Sequence, residues 1–192
     1  MRARLRPAPR CRPEPSSRSA RPRARHVLPL LLAPLAAQAQ TTPSLLVLGA
    51  GATNVFARGG QPSADFGIDY RSGLTLLPFA RPVLTVRPWA GLEASSRGAF
   101  WGGGGLVLDI PIWRFSLVPE AGVGGYARGG GKDLGSALEF RTGIGLNYHF
   151  ADGSRVGATF RHTSNAGIAR RNPGTESITV DYQLPLSWLL GR

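Results

Sequence analysis

Apolar and polar residues alternate along most of the chain from residue 44 onward. The alternation is clearest from Leu138 to Phe150, where the even positions are apolar apart from Thr142 and the odd positions are polar or glycine. Successive side chains of a β-strand point to opposite faces, so this period of two predicts a strand with one apolar and one polar face. Beyond residue 39, no run of 18 residues is apolar and uncharged, so no helical membrane span is expected.

The same pattern predicts eight strands of about ten or more residues, the length that tilted membrane strands need. The predicted strands cover residues 44–56, 64–75, 83–95, 98–110, 113–126, 136–150, 154–165 and 176–189.

Alternation alone fits two folds, a soluble sandwich with its apolar faces inward and a membrane barrel with its apolar faces outward. The even strand count and the glycines on the polar faces favour the barrel, because small residues relieve crowding inside a narrow lumen. Charges of both signs recur on the same faces, as an internal ion-pair network requires. The sequence therefore predicts an all-β fold, an eight-stranded antiparallel transmembrane β-barrel of the bacterial outer membrane.

The N-terminal region differs from the rest of the chain. Residues 1–26 carry nine arginines and one acidic residue, Glu14, and residues 27–39 form a short apolar stretch that ends in Ala37-Gln38-Ala39. A basic start, a short apolar core and small residues at the end are typical of a secretory signal peptide. A basic extension and signal peptide are expected over 1–39 and are removed, and the barrel domain is expected over 40–192.

Composition excludes several classes of function. Of the formal net charge of +12, the first 26 residues supply most, so the remainder is not a basic nucleic-acid-binding body. Cys11 is the only cysteine and lies in the N-terminal stretch, which excludes a disulfide framework or a cysteine zinc site in the barrel. No cluster of carboxylates suggests a metal, and neither a metal nor a cofactor is expected.

Three polar residues near the end of the chain could carry chemistry. His162 and Ser164 lie two apart on a predicted strand, with the parity of its outward apolar residues, and Glu176 has outward parity on the next strand. Pairing across the 166–175 loop is predicted to place Ser164 roughly opposite Glu176, with His162 as a diagonal neighbour. The three residue types can act as nucleophile, base and orienting acid. From the residues alone, an equally good interpretation is that they line the aqueous rim of the barrel.

A resemblance adds to this interpretation. The segments His162-Thr163-Ser164-Asn165-Ala166-Gly167 and Asn172-Pro173-Gly174-Thr175-Glu176-Ser177, with Tyr182, resemble the C-terminal hairpin of the PagL-type lipid A 3-O-deacylases of Gram-negative outer membranes. The resemblance implies that Ser164, His162 and Glu176 form a catalytic triad on the outer surface. It also implies an oxyanion hole from the side chain of Asn172 and backbone N–H groups near Ala166 and Gly167, with Asn165 supporting the turn.

The function implied by the resemblance is hydrolysis of the 3-O-linked acyl chain of lipid A by an outer-membrane serine esterase. Lipid A of lipopolysaccharide would be the substrate, outer-membrane lipids the surroundings, and a homodimer the assembly. Two alternatives stay open, a phospholipase or general esterase with the same site and a non-catalytic structural or adhesive barrel.

Four basic residues fall in loops predicted to lie on the outer side: Arg128, Lys132, Arg170 and Arg171. Solvated loop charge explains them, and they are also placed to meet the phosphates of lipid A.

Overall fold

The structure is a computed structural model that describes residues 42–56, 61–80 and 83–191. The predicted basic extension and signal peptide over 1–39 lie outside the described residues.

Eight strands make up more than half of the described residues. They are β1 Leu45–Thr53, β2 Ser63–Arg71, β3 Thr85–Ser95, β4 Phe100–Ile112, β5 Phe115–Ala127, β6 Leu138–His149, β7 Arg155–Ser164 and β8 Thr175–Pro185. A short 3-10 helix, Pro78–Ala80, precedes β3, and a one-turn helix α1, Leu186–Leu189, follows β8. Among the described residues, no helix is long and apolar enough to cross a membrane.

Every strand pairs antiparallel with the next, and β1 pairs with β8, so the sheet closes into a barrel. Closure leaves no strand with a free hydrogen-bonding edge, the requirement for any sheet surrounded by lipid. The predicted fold class is confirmed, and most strand ends lie within two residues of their predicted positions. Three strands end three or four residues earlier than predicted, β1 at Thr53, β2 at Arg71 and β8 at Pro185, where the chain turns into α1. The β4–β5 turn falls at 113–114 and not at 111–112, and Trp113 in it has a φ of 56°.

The two faces of the sheet separate as the alternation predicts. Outward positions carry large apolar side chains that are exposed, the band that a transmembrane barrel presents to lipid. They include Phe66, Ile68, Leu138, Phe140, Ile144, Ile178, Val180 and Tyr182. Inward positions carry buried polar and charged side chains, among them Glu139, Arg141, Arg161 and Asp181. This inside-out distribution excludes the sandwich alternative.

An ion-pair network fills the middle of the barrel. Arg161 donates through Nε to Glu120 Oε1 at 2.7 Å and through Nη1 to Thr179 Oγ1 at 3.0 Å, and its Nη2 lies 3.4 Å from Asp69 Oδ2. The second oxygen of Glu120 lies 3.5 Å from Nη2 of Arg71. Each of these residues is less than a tenth exposed. Buried charges need such partners, because an unpaired ion inside a protein carries a large desolvation penalty.

Glycine and tryptophan shape the lumen around this network. A Cβ at Gly143 would lie 3.0 Å from Cγ of Glu120, so glycine makes room for the carboxylate. Closer to the outer end of the barrel, Arg141 Cζ lies 3.7 Å from the ring centroid of Trp101. Arg141 Nη2 lies 3.0 Å from Glu93 Oε1. The middle of the barrel is therefore packed with side chains, as the small diameter of an eight-stranded barrel requires.

Candidate active site

The candidate site lies on the outer surface, where the 165–174 loop joins β7 to β8. His162 and Ser164 are half-buried, whereas Thr163 between them is 4% exposed and points into the lumen. Glu176 is half-buried on the adjacent strand, and the residue after it, Ser177, is 4% exposed and also points inward. The predicted outward parity of the three candidate residues is therefore confirmed.

The register between β7 and β8 brings His162 directly opposite Glu176. The prediction that Ser164 faces Glu176 is wrong by two residues. A long loop such as 165–174 does not fix which residues of the two strands pair. A shift by two residues keeps every side chain on its face, so the predicted parity holds although the predicted pairing does not. One consequence is a direct contact, since His162 Nδ1 lies 3.2 Å from Glu176 Oε1. Their side chains are 43% and 24% exposed, so the pair is accessible from the outer surface.

Ser164 lies apart from the His162–Glu176 contact. It shares the outward face with His162, two residues along β7, and its backbone pairs with that of Phe140 on β6. Within the described part of the chain, Ser164 Oγ makes no hydrogen bond, so the structure joins His162 to Glu176 but does not join Ser164 to His162. Contacts between nucleophile and base are often long before substrate binds. Ser164 therefore stays a predicted member of the site.

Asn165 anchors the loop that follows. Its side chain is fully buried, and its Nδ2 donates to the carbonyl oxygens of Leu134 at 2.8 Å and Arg171 at 2.7 Å. Its Oδ1 accepts from the N–H of Gly167 at 3.0 Å, and its own N–H donates to Asn172 Oδ1 at 3.0 Å. A buried amide with all these partners fixes the loop rigidly. The contact with Leu134 crosses to the β5–β6 loop, and no local sequence pattern could have revealed it.

These hydrogen bonds decide which donors of the loop are free. The N–H of Gly167 is already bonded to Asn165, so of the two backbone groups predicted for an oxyanion hole, only that of Ala166 lacks a hydrogen bond among the described residues. Ala166 has a φ of 53°, a left-handed conformation that turns the chain immediately after Asn165. Asn172 accepts through Oδ1, which leaves its NH2 group as a second donor.

The four basic loop residues do not form one cluster of free cations. Arg171 Nη1 lies 3.5 Å from Asp133 Oδ2, and Arg128 Nη1 lies 3.7 Å from the same oxygen. All three side chains are well exposed, so the pairs contribute little to stability. Two guanidinium groups share one carboxylate, so this group of residues keeps a net positive charge. Arg170 is exposed on the same loop as Arg171.

Comparison with known proteins connects this geometry to a family. The family described as lipid A 3-O-deacylase (PagL) matches residues 85–185, more than half of the chain and all of the strands that form the site. The lipid A deacylase PagL of Pseudomonas aeruginosa is 42% identical over 71 residues, which are 35% of this chain and 41% of that protein. The alignment thus spans less than half of the Pseudomonas relative.

Two longer matches agree. The lipid A deacylase PagL of Bordetella bronchiseptica is 26% identical over 145 residues, covering 64% of this chain and 82% of that protein. The crystal structure of the outer membrane enzyme PagL superposes with a TM-score of 0.54 at 26% identity, covering 73% of this chain and 99% of the solved one. With its closed eight-stranded barrel and its outward His162–Glu176 pair, this chain belongs to the PagL family of lipid A 3-O-deacylases.

Proposed function

We propose that the protein is an outer-membrane serine esterase that hydrolyses the 3-O-linked acyl chain of lipid A, with Ser164, His162 and Glu176 as its triad. The observation that carries the proposal is the His162–Glu176 contact on the outward face of an apolar barrel. Ionisable side chains on a lipid-facing surface are expensive and are kept where they serve a function. Membership of the PagL family supplies the reaction class.

In the proposed mechanism, Ser164 Oγ attacks the ester carbonyl while His162 Nε2 takes its proton. Glu176, bonded to Nδ1, orients the ring and stabilises the imidazolium that forms. The tetrahedral oxyanion accepts hydrogen bonds from the N–H of Ala166 and the NH2 group of Asn172. Collapse expels the sugar alkoxide, which takes the proton from His162. Water then attacks the acyl-enzyme with His162 as base, and the free fatty acid leaves.

The location of the site suits a substrate that lies within a membrane. Acyl chains in the outer leaflet already lie against the apolar face of the barrel, so the ester bond can reach Ser164 without extraction of the lipid. The basic residues Arg128, Lys132, Arg170 and Arg171 are proposed to attract the phosphates of lipid A, as guanidinium groups bind phosphate well. The homodimer implied by the family resemblance stays a prediction.

The direct test is mass spectrometry of lipid A from Gram-negative cells that express the chain, beside cells with an empty vector. We expect loss of one ester-linked hydroxyacyl chain, assigned to the 3-position by fragmentation. Purified protein is also incubated with lipopolysaccharide and with phospholipid vesicles. Fatty acid released from phospholipid alone would replace the proposal with a phospholipase, and no release from either would favour a non-catalytic barrel.

Replacement of Glu176 tests the acidic member of the triad. Glu176→Gln keeps a hydrogen-bond acceptor for the His162 ring but removes the charge, whereas Glu176→Ala removes both. We expect both variants to deacylate more slowly than wild type, with Glu176→Ala at least as slow as Glu176→Gln, because the imidazolium loses its stabilising charge.

The control for this pair is an exposed carboxylate that contacts no triad residue, Asp152, replaced by asparagine. Neither Glu176 variant should lose folding, measured by heat-modifiable gel migration, because the side chain lies at the surface. Wild-type rates in both Glu176 variants would remove Glu176 from the site and leave a His162–Ser164 dyad.

A further inference from the structure

Gly174 lies against the imidazole of His162. It is buried, and its φ is +59°. A Cβ at this position would lie 2.8 Å from His162 Cε1 and 3.3 Å from His162 Nε2, with the carbonyl oxygen of Thr163 at 3.5 Å. The closest of these distances is shorter than real Cβ contacts allow. Only glycine fits here while the ring keeps its position, and glycine also adopts the positive φ without strain.

The position of Gly174 at the end of the loop shows what this contact does. A Cβ at residue 174 would lie beside the outward-facing ring of His162, so a side chain there would extend onto the outer face. His162 pairs with Glu176, and Gly174 is the last loop residue before β8 begins at Thr175. The imidazole therefore has the Glu176 carboxylate at its Nδ1 edge and the bare backbone of Gly174 at its Nε2 edge.

Resting on the proposed function, we propose that Gly174 is a positioning residue, whose lack of a side chain lets His162 turn its Nε2 edge toward Ser164 while Nδ1 stays bonded to Glu176. A methyl group at 174 would have to push the ring edge from 2.8 Å to an ordinary contact distance of 3.4 Å or more. The ring can yield by moving away from Glu176 or by changing the direction in which Nε2 points. Either movement misplaces the base that is proposed to take the serine proton.

Gly174→Ala is the first test, with Gly98→Ala as its matched control. Gly98 lies in the β3–β4 turn and has a similar φ of +79°, but the nearest atom to a Cβ there is 4.0 Å away. Both substitutions strain a left-handed backbone, whereas only the first displaces the His162 ring. We expect kcat to fall on the order of 100-fold in Gly174→Ala, with KM little changed, because misplacement by about 1 Å costs that much. Gly98→Ala should keep the wild-type kcat.

Gly174→Asn separates the ring contact from backbone strain. Asparagine tolerates a positive φ better than alanine and still carries a Cβ. It should fold more readily than Gly174→Ala and lose as much kcat. Wild-type kcat in Gly174→Asn, or a raised KM with an unchanged kcat, would overturn the positioning role, the latter because Gly174 would then act on substrate binding alone.

A spectroscopic readout follows the ring without relying on turnover. In protein with 15N-labelled histidine in detergent micelles, the His162 imidazole resonances, assigned with a His162→Asn variant, should shift in both Gly174 variants and not in Gly98→Ala. Unchanged resonances would overturn the inference even if activity fell. Deacylation by the wild-type protein in the same preparation distinguishes a failure of the Gly174 proposal from a failure of the proposed function. An active wild type with active Gly174 variants contradicts only the role of Gly174, whereas an inactive wild type contradicts the proposed function itself.

Discussion

Ser164→Ala should leave the barrel intact and abolish detectable deacylation. The hydroxyl is the proposed nucleophile, and removal of a triad serine lowers kcat by at least about 1,000-fold in enzymes that use this chemistry. The fold should not change, because Ser164 is half-exposed at a strand end and its hydroxyl makes no hydrogen bond among the described residues. The measurement is the lipid A mass spectrum of expressing cells, together with the fatty acid released by purified protein.

Ser96→Ala is the matched control for this variant. Ser96 is an exposed serine in the β3–β4 turn, which lies at the same end of the barrel as the 165–174 loop. It should give the wild-type spectrum. A wild-type product yield from Ser164→Ala would contradict the assignment of Ser164 as the nucleophile, whatever the effect of changing His162 or Glu176.

Glu120→Ala is expected to cause the largest loss of stability. The Glu120 carboxylate lies between the guanidinium groups of Arg71 and Arg161, at 3.5 Å and 2.7 Å, and all three side chains are buried. Arginine cannot shed its proton to escape an apolar site. Removing one partner of a buried ion pair lowers the free energy of unfolding by about 3–5 kcal/mol, because the remaining charges stay buried without it. Urea titration of refolded protein, followed by tryptophan fluorescence, measures this change.

Asp133→Ala supplies a control with the same charge arrangement in a different environment. Asp133 also lies between two arginines, Arg128 and Arg171, at 3.7 Å and 3.5 Å, but these side chains are 45–70% exposed. Exposed ion pairs contribute at most about 1 kcal/mol, so this variant should unfold close to the wild-type midpoint. Equal losses of unfolding free energy in the two variants would mean that burial does not explain how much the Glu120 ion pairs stabilise the fold.

The fold could be predicted almost completely from the sequence, because alternation is clear in β6 and β8 and these strands set the faces of their neighbours. The run from Leu138 to Phe150 places every apolar side chain outward, and one strand of this quality constrains the faces of the strands beside it. Strand ends were less predictable. Pro185 ends β8 four residues before the pattern does, because the apolar residues that follow it form α1.

The site was predictable in its residues and less so in its geometry. The parity of His162, Ser164 and Glu176 follows from counting along two strands, so their shared face was accessible from the sequence. Their register was not, because the long 165–174 loop does not fix which residues of β7 and β8 pair. The hydrogen bond from Asn165 to the β5–β6 loop and the contact of Gly174 with the imidazole depend on how loops pack in three dimensions. Neither of these two contacts produces a periodic pattern in the sequence.

The side chains that fill the lumen also bear on the permeability of the envelope. The ion pairs of Arg161 with Glu120 and Asp69 fill the middle of the lumen, where a porin keeps an aqueous channel. We therefore expect this barrel not to conduct small hydrophilic solutes across the envelope. The proposed chemistry takes place on the outer face of the barrel, and the interior side chains serve to close the lumen.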